Sequence, residues 1–264
     1  EQAGREAAKK LNVATSPVMV YIANEFSPLK TATGEEKTPY SMYSIVAGLD
    51  FPDQPPFGPF KFIGAKPKLP LKENEIVLNE WLANDLKTKV GNQLRMKYHV
   101  VGSRGELPEV EQIFTVAGIV ALDGTPAADR KLTPDMEGIT DADTFGDWEQ
   151  PFPMKLDKVT DRDEEYWDKY KATPKAFLAL ETAQTLWKSR YGTLTSLRFA
   201  ALPDKNTEET SSAFAASLLS NIDVLKMGLA VQPIKFLGLA AASGTTDFSG
   251  LFIGFSFFII LSAI

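Results

Sequence analysis

Apolar and polar positions alternate with a period of two in several stretches, and this pattern predicts β-strands. Residues 18–23 (VMVYIA), bounded by Pro17 and Asn24, are in addition a short β-rich apolar run, and 40–49 (YSMYSIVAGL) are a second strand candidate. A clear module follows. Residues 75–78 (EIVL) read as a strand, Asn79 as an N-cap, and 80–87 as a short helix in which Trp81, Leu82 and Leu86 recur at helical spacing. Gly91 and Asn92 turn the chain. Residues 93–101 then put Leu94, Met96, Tyr98 and Val100 on one face, and 112–122 (QIFTVAGIVAL) alternate as the partner strand. A polar helix is predicted at 161–171, stopped before Pro174 because a residue preceding proline avoids helical backbone. A second module repeats the first: strand at 176–180, helix at 181–189, turn at Gly192, strand at 195–200. With one extra residue before the turn, Ala83 and Leu86 fall opposite Ala183 and Leu186, and Gly91 opposite Gly192. Helices are also predicted at 1–12 and 207–221.

Between these elements the pattern breaks down. Residues 28–39 read as a polar loop. Residues 51–70 (FPDQPPFGPFKFIGAKPKLP) are too rich in proline for a helix or a central strand. They read as an ordered surface loop, with docking of a partner as the alternative. Residues 123–161 are irregular, acidic and aromatic, and belong to an insertion spanning about 123–170. Residues 222–242 are apolar but broken by Lys226, Pro233 and Lys235, and read as a strand followed by a short helix. These elements predict an α+β fold with mixed sheets and short helices. The expected arrangement is two subdomains split around the proline-rich loop and the acidic insertion. A doubly wound parallel sheet does not fit strands linked by hairpins.

The last segment, 251–264 (LFIGFSFFIILSAI), carries no charge. It is shorter than the roughly 20 apolar residues of a membrane span. It reads as a truncated transmembrane helix over 247–264, following a folded domain at 1–246. Thr246 or Asp247 is its expected cap, after Ser243 and Gly244. A buried C-terminal helix is the alternative.

Composition narrows the function. The chain of 264 residues is 44% hydrophobic and 23% charged, as folded proteins are. Its net charge of -6 and the lack of any basic stripe argue against nucleic acid as a partner. With no cysteine, disulfides and thiolate chemistry are excluded. His99 is the single histidine, so Ser-His and multi-histidine zinc arrangements fail on count. Residues 141–147 begin like a calcium loop, with Asp141, Asp143 and Gly146 in place. However, Phe145 and Phe152 stand where oxygen ligands belong. Glu164 and Asp168 share a helix face, in charged surroundings that do not suggest a catalytic acid. No phosphate-binding loop or nucleophile elbow is present. No catalytic, cofactor or metal residue is therefore assigned, and the expectation is a protein that is not an enzyme. Phe145, Trp148, Phe152 and Trp167 are candidates for a partner or substrate contact surface. The other reading of these four is packing of the insertion onto the core.

The module IVLNEWLANDLKTKVGNQLRMKY, with its turn Lys89-Val90-Gly91-Asn92-Gln93-Leu94-Arg95-Met96, resembles the MacB-like periplasmic core domain of FtsX-like ABC-transporter permeases. IFTVAGIV is similar to that domain's next strand. Thr182-Ala183-Gln184 and Thr195-Ser196-Leu197 are similar to its last β-α-β part, and TTDFSGLFIGFSFFIILSAI to the start of the second transmembrane helix. The resemblance implies a permease of four transmembrane helices in the cell inner membrane, with this domain on the periplasmic or extracellular side between the first two. It implies a homo- or heterodimer of permeases working with a cytoplasmic ABC ATPase. Export of a substrate, release of a lipoprotein or activation of a partner would be driven through stalks at 1–11 and 231–242. The insertion at 123–170 departs from the shorter exporters, so the substrate class does not transfer. A membrane-anchored hydrolase or binding protein is the alternative function.

Overall fold

The computed structural model describes residues 1–29, 38–150, 152–189, 192–225, 228, 230, 232–242 and 248–264. The chain forms two units, Glu1–Asn221 and Ile222–Ile264. The first contains α1 (Gln2–Leu11), β1 (Thr15–Pro28), β2 (Ser41–Leu49), β3 (Glu75–Asn79), α2 (Glu80–Asp85), β4 (Gln93–His99), β5 (Glu109–Val120), α3 (Asp161–Tyr170), β6 (Ala176–Ala179), α4 (Leu180–Trp187), β7 (Ser196–Phe199) and α5 (Thr207–Asn221). The class is α+β, as expected from the pattern.

The strands run in the order β2-β6-β3-β5-β4-β1-β7, and β1 also pairs with β2. Six strands therefore close a barrel, and β7 is attached along Thr15 to Val18 at the start of β1. Closure removes the free edges that an open sheet would offer to other chains. Around the ring β2–β6 and β3–β5 are parallel, and the remaining pairs are antiparallel. Exchanging β1 with β4, β2 with β5 and β3 with β6 reproduces every pairing in the ring. The unit is thus a topological duplication, β1-β2-β3-α2 followed by β4-β5-β6-α4. The proline-rich loop joins β2 to β3, and the acidic insertion joins β5 to β6 at the equivalent place in the second half. Ala83 and Ala183, aligned in the sequence repeat, are both buried on the equivalent helices α2 and α4.

Two cores follow from the period of two along each strand. Phe26, Val46, Leu78, Met96, Phe114 and Leu178 come one from each ring strand, and with Leu82 and Ala183 they fill the barrel interior. Ile45, Val77 and Phe177 point the other way, into a cluster with Phe51, Phe60, Phe145, Trp148 and Trp167. The proline-rich loop and the acidic insertion therefore cover the outer face of β2, β6 and β3. That explains why every residue of β2 is buried. It also corrects the expected split into two subdomains, since both segments fold onto one barrel. Phe51 and Phe177 each meet Phe60 edge-on, at 5.3 and 5.5 Å between ring centres. α1 lies against α5, where Ala7, Ala8 and Phe214 form a small core and Phe199 stacks on Phe214 at 3.8 Å.

β1 runs well beyond the expected 18–23. Its Pro17 and Pro28 lie near the two ends, where a missing N–H costs the ladder little. In the second unit the described residues between Ile222 and Pro233 form no strand, contrary to expectation. α6 (Ile234–Ala242) and α7 (Phe248–Ser262) make up its helices. The expected cap at Thr246 or Asp247, and the Ser243-Gly244 pair, lie outside the described residues.

Candidate functional site

Three features carry chemistry. The first is the apolar tail. α7 has 15 residues and no charge, and Phe252, Ile253, Phe258 and Ile259 are between 67% and 71% exposed. α6 is similar, with Ile234 and Phe236 at 72% and 70% exposed and Lys235 as its single charge. A helix apolar on all sides normally sits inside a protein or a bilayer, because about 25 cal/mol is lost per Å² of apolar surface left in water. No described helix is long and apolar enough to cross a membrane. At about 1.5 Å per residue α7 reaches about 22 Å, against a hydrocarbon core of about 30 Å.

The second feature is a groove of about 620 Å³ between the β4–β5 hairpin tip and the end of α4. The tip is shaped by Gly105 at φ 86° and by Gly102 N–H donating to Glu106 O at 2.8 Å. The Glu106 carboxylate folds back to accept from Arg104 N–H at 2.9 Å. Tyr21 and Trp187 in the wall stack at 5.1 Å and 7° from parallel. Tyr98 meets both edge-on, at 6.2 and 6.0 Å. The Tyr21 hydroxyl donates to His99 O at 2.7 Å, and burial, helped by Tyr98, raises its pKa. Val100 and Leu186 add apolar wall, Arg104 and Lys188 add positive charge, and no acidic residue lines the groove.

The third feature is a buried charge network beneath α3. Asp163 and Lys175 are essentially sealed from solvent and meet at 2.9 Å. Asp163 Oδ1 also accepts from Ser41 Oγ at 2.7 Å and from Met42 N–H at 3.2 Å. Its Oδ2 accepts from Thr160 Oγ1 at 2.7 Å and from Thr160 N–H at 3.2 Å. Burial works to raise the Asp163 pKa, but Lys175 and these donors outweigh it and hold the carboxyl below its ordinary value. Lys175 Nζ donates to Ser41 Oγ at 2.9 Å and lies 4.8 Å from the centre of the Tyr166 ring. Burial pushes the Tyr166 phenol well above its usual range. Nearby, burial raises the Asp85 pKa against the opposing bond from Arg162 Nε at 3.0 Å. This network holds helix to barrel and opens to no cavity among those described.

The residues singled out from the sequence fall as follows. Phe145, Trp148 and Trp167 are buried in the outer core, with ring centres 4.9 to 5.3 Å apart. They leave no face for a partner, which corrects their candidacy as a contact surface. The insertion needs an apolar underside to hold it on β2, and these rings supply it. Phe152 is half-buried against the same cluster, 5.3 Å from the His99 ring. His99 Nδ1 lies 2.8 Å from Leu107 O and borders a cavity of about 150 Å³ with Asn24, Tyr43 and Glu109. Phe145–Asp147 is a single helical turn, with Thr144 Oγ1 donating to Asp147 at 2.7 Å, so Asp147 is spent on a cap. No group of acidic or histidine side chains suited to a metal ion occurs among the described residues. Burial raises the Glu164 pKa modestly, with Asp168 adding to the effect. Sequence reasoning missed the Asp163–Lys175 pair and the groove. Comparison with protein-family models and with curated proteins gives no match for this chain.

Proposed function

We propose that the chain is the extracytoplasmic domain of an ABC-transporter permease of the FtsX-like, MacB-like type, joined to the membrane by α7. The observation that carries this reading is the uncharged α7, with its large apolar side chains exposed, following a unit whose own apolar residues are well buried. Lipid is the natural solvent for such a helix, and α7 spans a bilayer if it continues past Ile264. The neighbouring ends of the first unit support the same reading. Lys10 Nζ, at the end of α1, donates to Asn221 Oδ1, at the end of α5, at 2.6 Å. Glu1 is only about 14 Å back along α1 at the usual helical rise. A domain carried between two membrane helices needs its two ends this near to each other.

In this role the barrel performs no chemistry. It transmits motion from a cytoplasmic ATPase, through the segments at 1–11 and 231–242, to a cargo or partner outside the membrane. Closed strand pairing and a doubly covered β2 make it a stiff body, which suits transmission of force. The groove beside the β4–β5 hairpin is the one feature that favours the second reading, a membrane-anchored binding protein.

The test is membrane partition of the gene product, with an epitope tag inserted after Gly124. Retention in membranes after alkaline washing, with the tag cleaved only from outside, is the expected result. Release by the wash, or a tag protected from external protease, overturns the reading.

A further inference from the structure

The geometry points to a ligand site in the groove between the β4–β5 hairpin tip and α4, one that takes a small organic anion with an apolar body. The inference does not rest on the membrane reading, because every residue it uses belongs to the first unit.

Size comes first. A volume of about 620 Å³ lies in the range of about 300–1,000 Å³ over which small-molecule sites occur. The lining has the composition such sites share: apolar walls from Tyr21, Val100, Leu186 and Trp187, and a few polar groups. Charge then selects the ligand. Several basic side chains elsewhere in the unit have an acidic neighbour, among them Lys66 with Asp53, Lys97 with Glu25, Arg162 with Asp85 and Arg198 with Asp129. The Arg104 and Lys188 side chains have no such partner among the described residues, and no Asp or Glu lines the groove with them. In a protein of net charge -6, two cations at one apolar groove, with the Glu106 carboxylate bound to the Arg104 backbone N–H and not to its guanidinium, are an attraction for a carboxylate or phosphate. An acidic group anchored there by charge-assisted hydrogen bonds leaves the rest of the molecule against the aromatic wall. Trp187, at 6% exposure, has an indole N–H with no acceptor, so its resonance is a sensitive local reporter.

The probe is 2-naphthoate, with the neutral 2-naphthamide as its match in shape. The full chain, 15N-labelled in a mild non-ionic detergent, has four tryptophans and hence four indole signals. That of Trp187 is identified by its loss in Trp187→Phe. The expected result is a saturable shift of this signal with 2-naphthoate. Arg104→Ala and Lys188→Ala should each weaken binding about tenfold, and naphthamide should bind about tenfold more weakly, as loss of a charge-assisted bond requires. Unchanged signals from the other three tryptophans show that the variants remain folded. The site is refuted by an unresponsive Trp187 signal, by equal affinity for the acid and the amide, or by shifts confined to other tryptophans.

Discussion

Replacing Asp163 by Asn tests how the insertion is locked to the barrel. The carboxylate lies 2.9 Å from Lys175 Nζ, and both side chains are shut away from water. At an effective dielectric constant of about 20 the gross attraction at that distance is about 6 kcal/mol. Desolvation of two ions offsets much of it, so the pair as a whole adds little net stability, whereas removing one partner strands the other. The two single variants should differ. Without Lys175, Asp163 keeps the donors of Ser41, Met42 and Thr160. In Asp163→Asn, Lys175 keeps Ser41 Oγ, the face of Tyr166 and at most a neutral amide oxygen, so its buried charge is left without a counter-ion. Asp163→Asn should therefore cost about 5 kcal/mol and Lys175→Met about 3 kcal/mol. The double variant should cost at least about 2 kcal/mol less than their sum. Urea unfolding of the full chain in a non-ionic detergent, followed by tryptophan fluorescence, gives the values from midpoint and slope. The same pair sets an acid limit. Because the folded Asp163 pKa is depressed, its contribution is complete above the unfolded value of about 3.9 and fades as pH falls through the lower folded value. Asp163→Asn should lack that acid limb. A cost under about 1 kcal/mol for Asp163→Asn, or strict additivity of the two changes, refutes the argument.

Other variants probe the remaining joints by the same unfolding assay. Trp167→Ala empties a side chain buried between Phe145 and Trp148 and should cost about 3–5 kcal/mol; a near-neutral result means that these rings are not core. Gly48→Ala drives a methyl into that of Ala183 on α4 and should cost about 1–3 kcal/mol. Gly91→Ala meets no neighbour and should cost about 1 kcal/mol, from its φ of 90° alone. Asn79 Oδ1 accepts from Leu82 N–H at 2.8 Å, while its Nδ2 donates to Tyr166 Oη and Pro174 O. Asn79→Ala should therefore lose about 2–3 kcal/mol, and Asn79→Asp should not recover it, because the cap survives but both donors are gone.

The local elements of the fold were largely legible in the sequence. Alternation located β4 and β5, and Asn79 announced α2 by its capping chemistry. The correspondence of Ala83 with Ala183 pointed to the duplication. Closure of the ring was not legible, because β1 meets β4 and β3 meets β6 across long stretches of chain, and no local period encodes such pairing. The partner of Asp163 was hidden for the same reason. Within α3, however, Asp163, Tyr166, Trp167 and Tyr170 share one face at helical spacing, a signal that this charged helix turns a mixed aromatic side inward. For Trp148 and Trp167 the sequence left two readings, a contact surface or packing of the insertion onto the core, and their burial in the outer core is what packing requires. The groove was invisible in sequence because Tyr21, Arg104 and Trp187 come from three distant places that only the barrel brings together.

The central claim, that α7 lies in lipid while the barrel stands outside the membrane, is tested most directly by thiol labelling, for which a chain without cysteine is a clean background. Asp141→Cys in the exposed insertion and Ile259→Cys on α7 are each expressed in the native host and treated, in intact cells, with a membrane-impermeant maleimide. The account predicts labelling of the first at the rate of a free surface thiol and none of the second, since hydrocarbon excludes both reagent and thiolate. Equal labelling of the two, or of neither until the cells are broken, would contradict it.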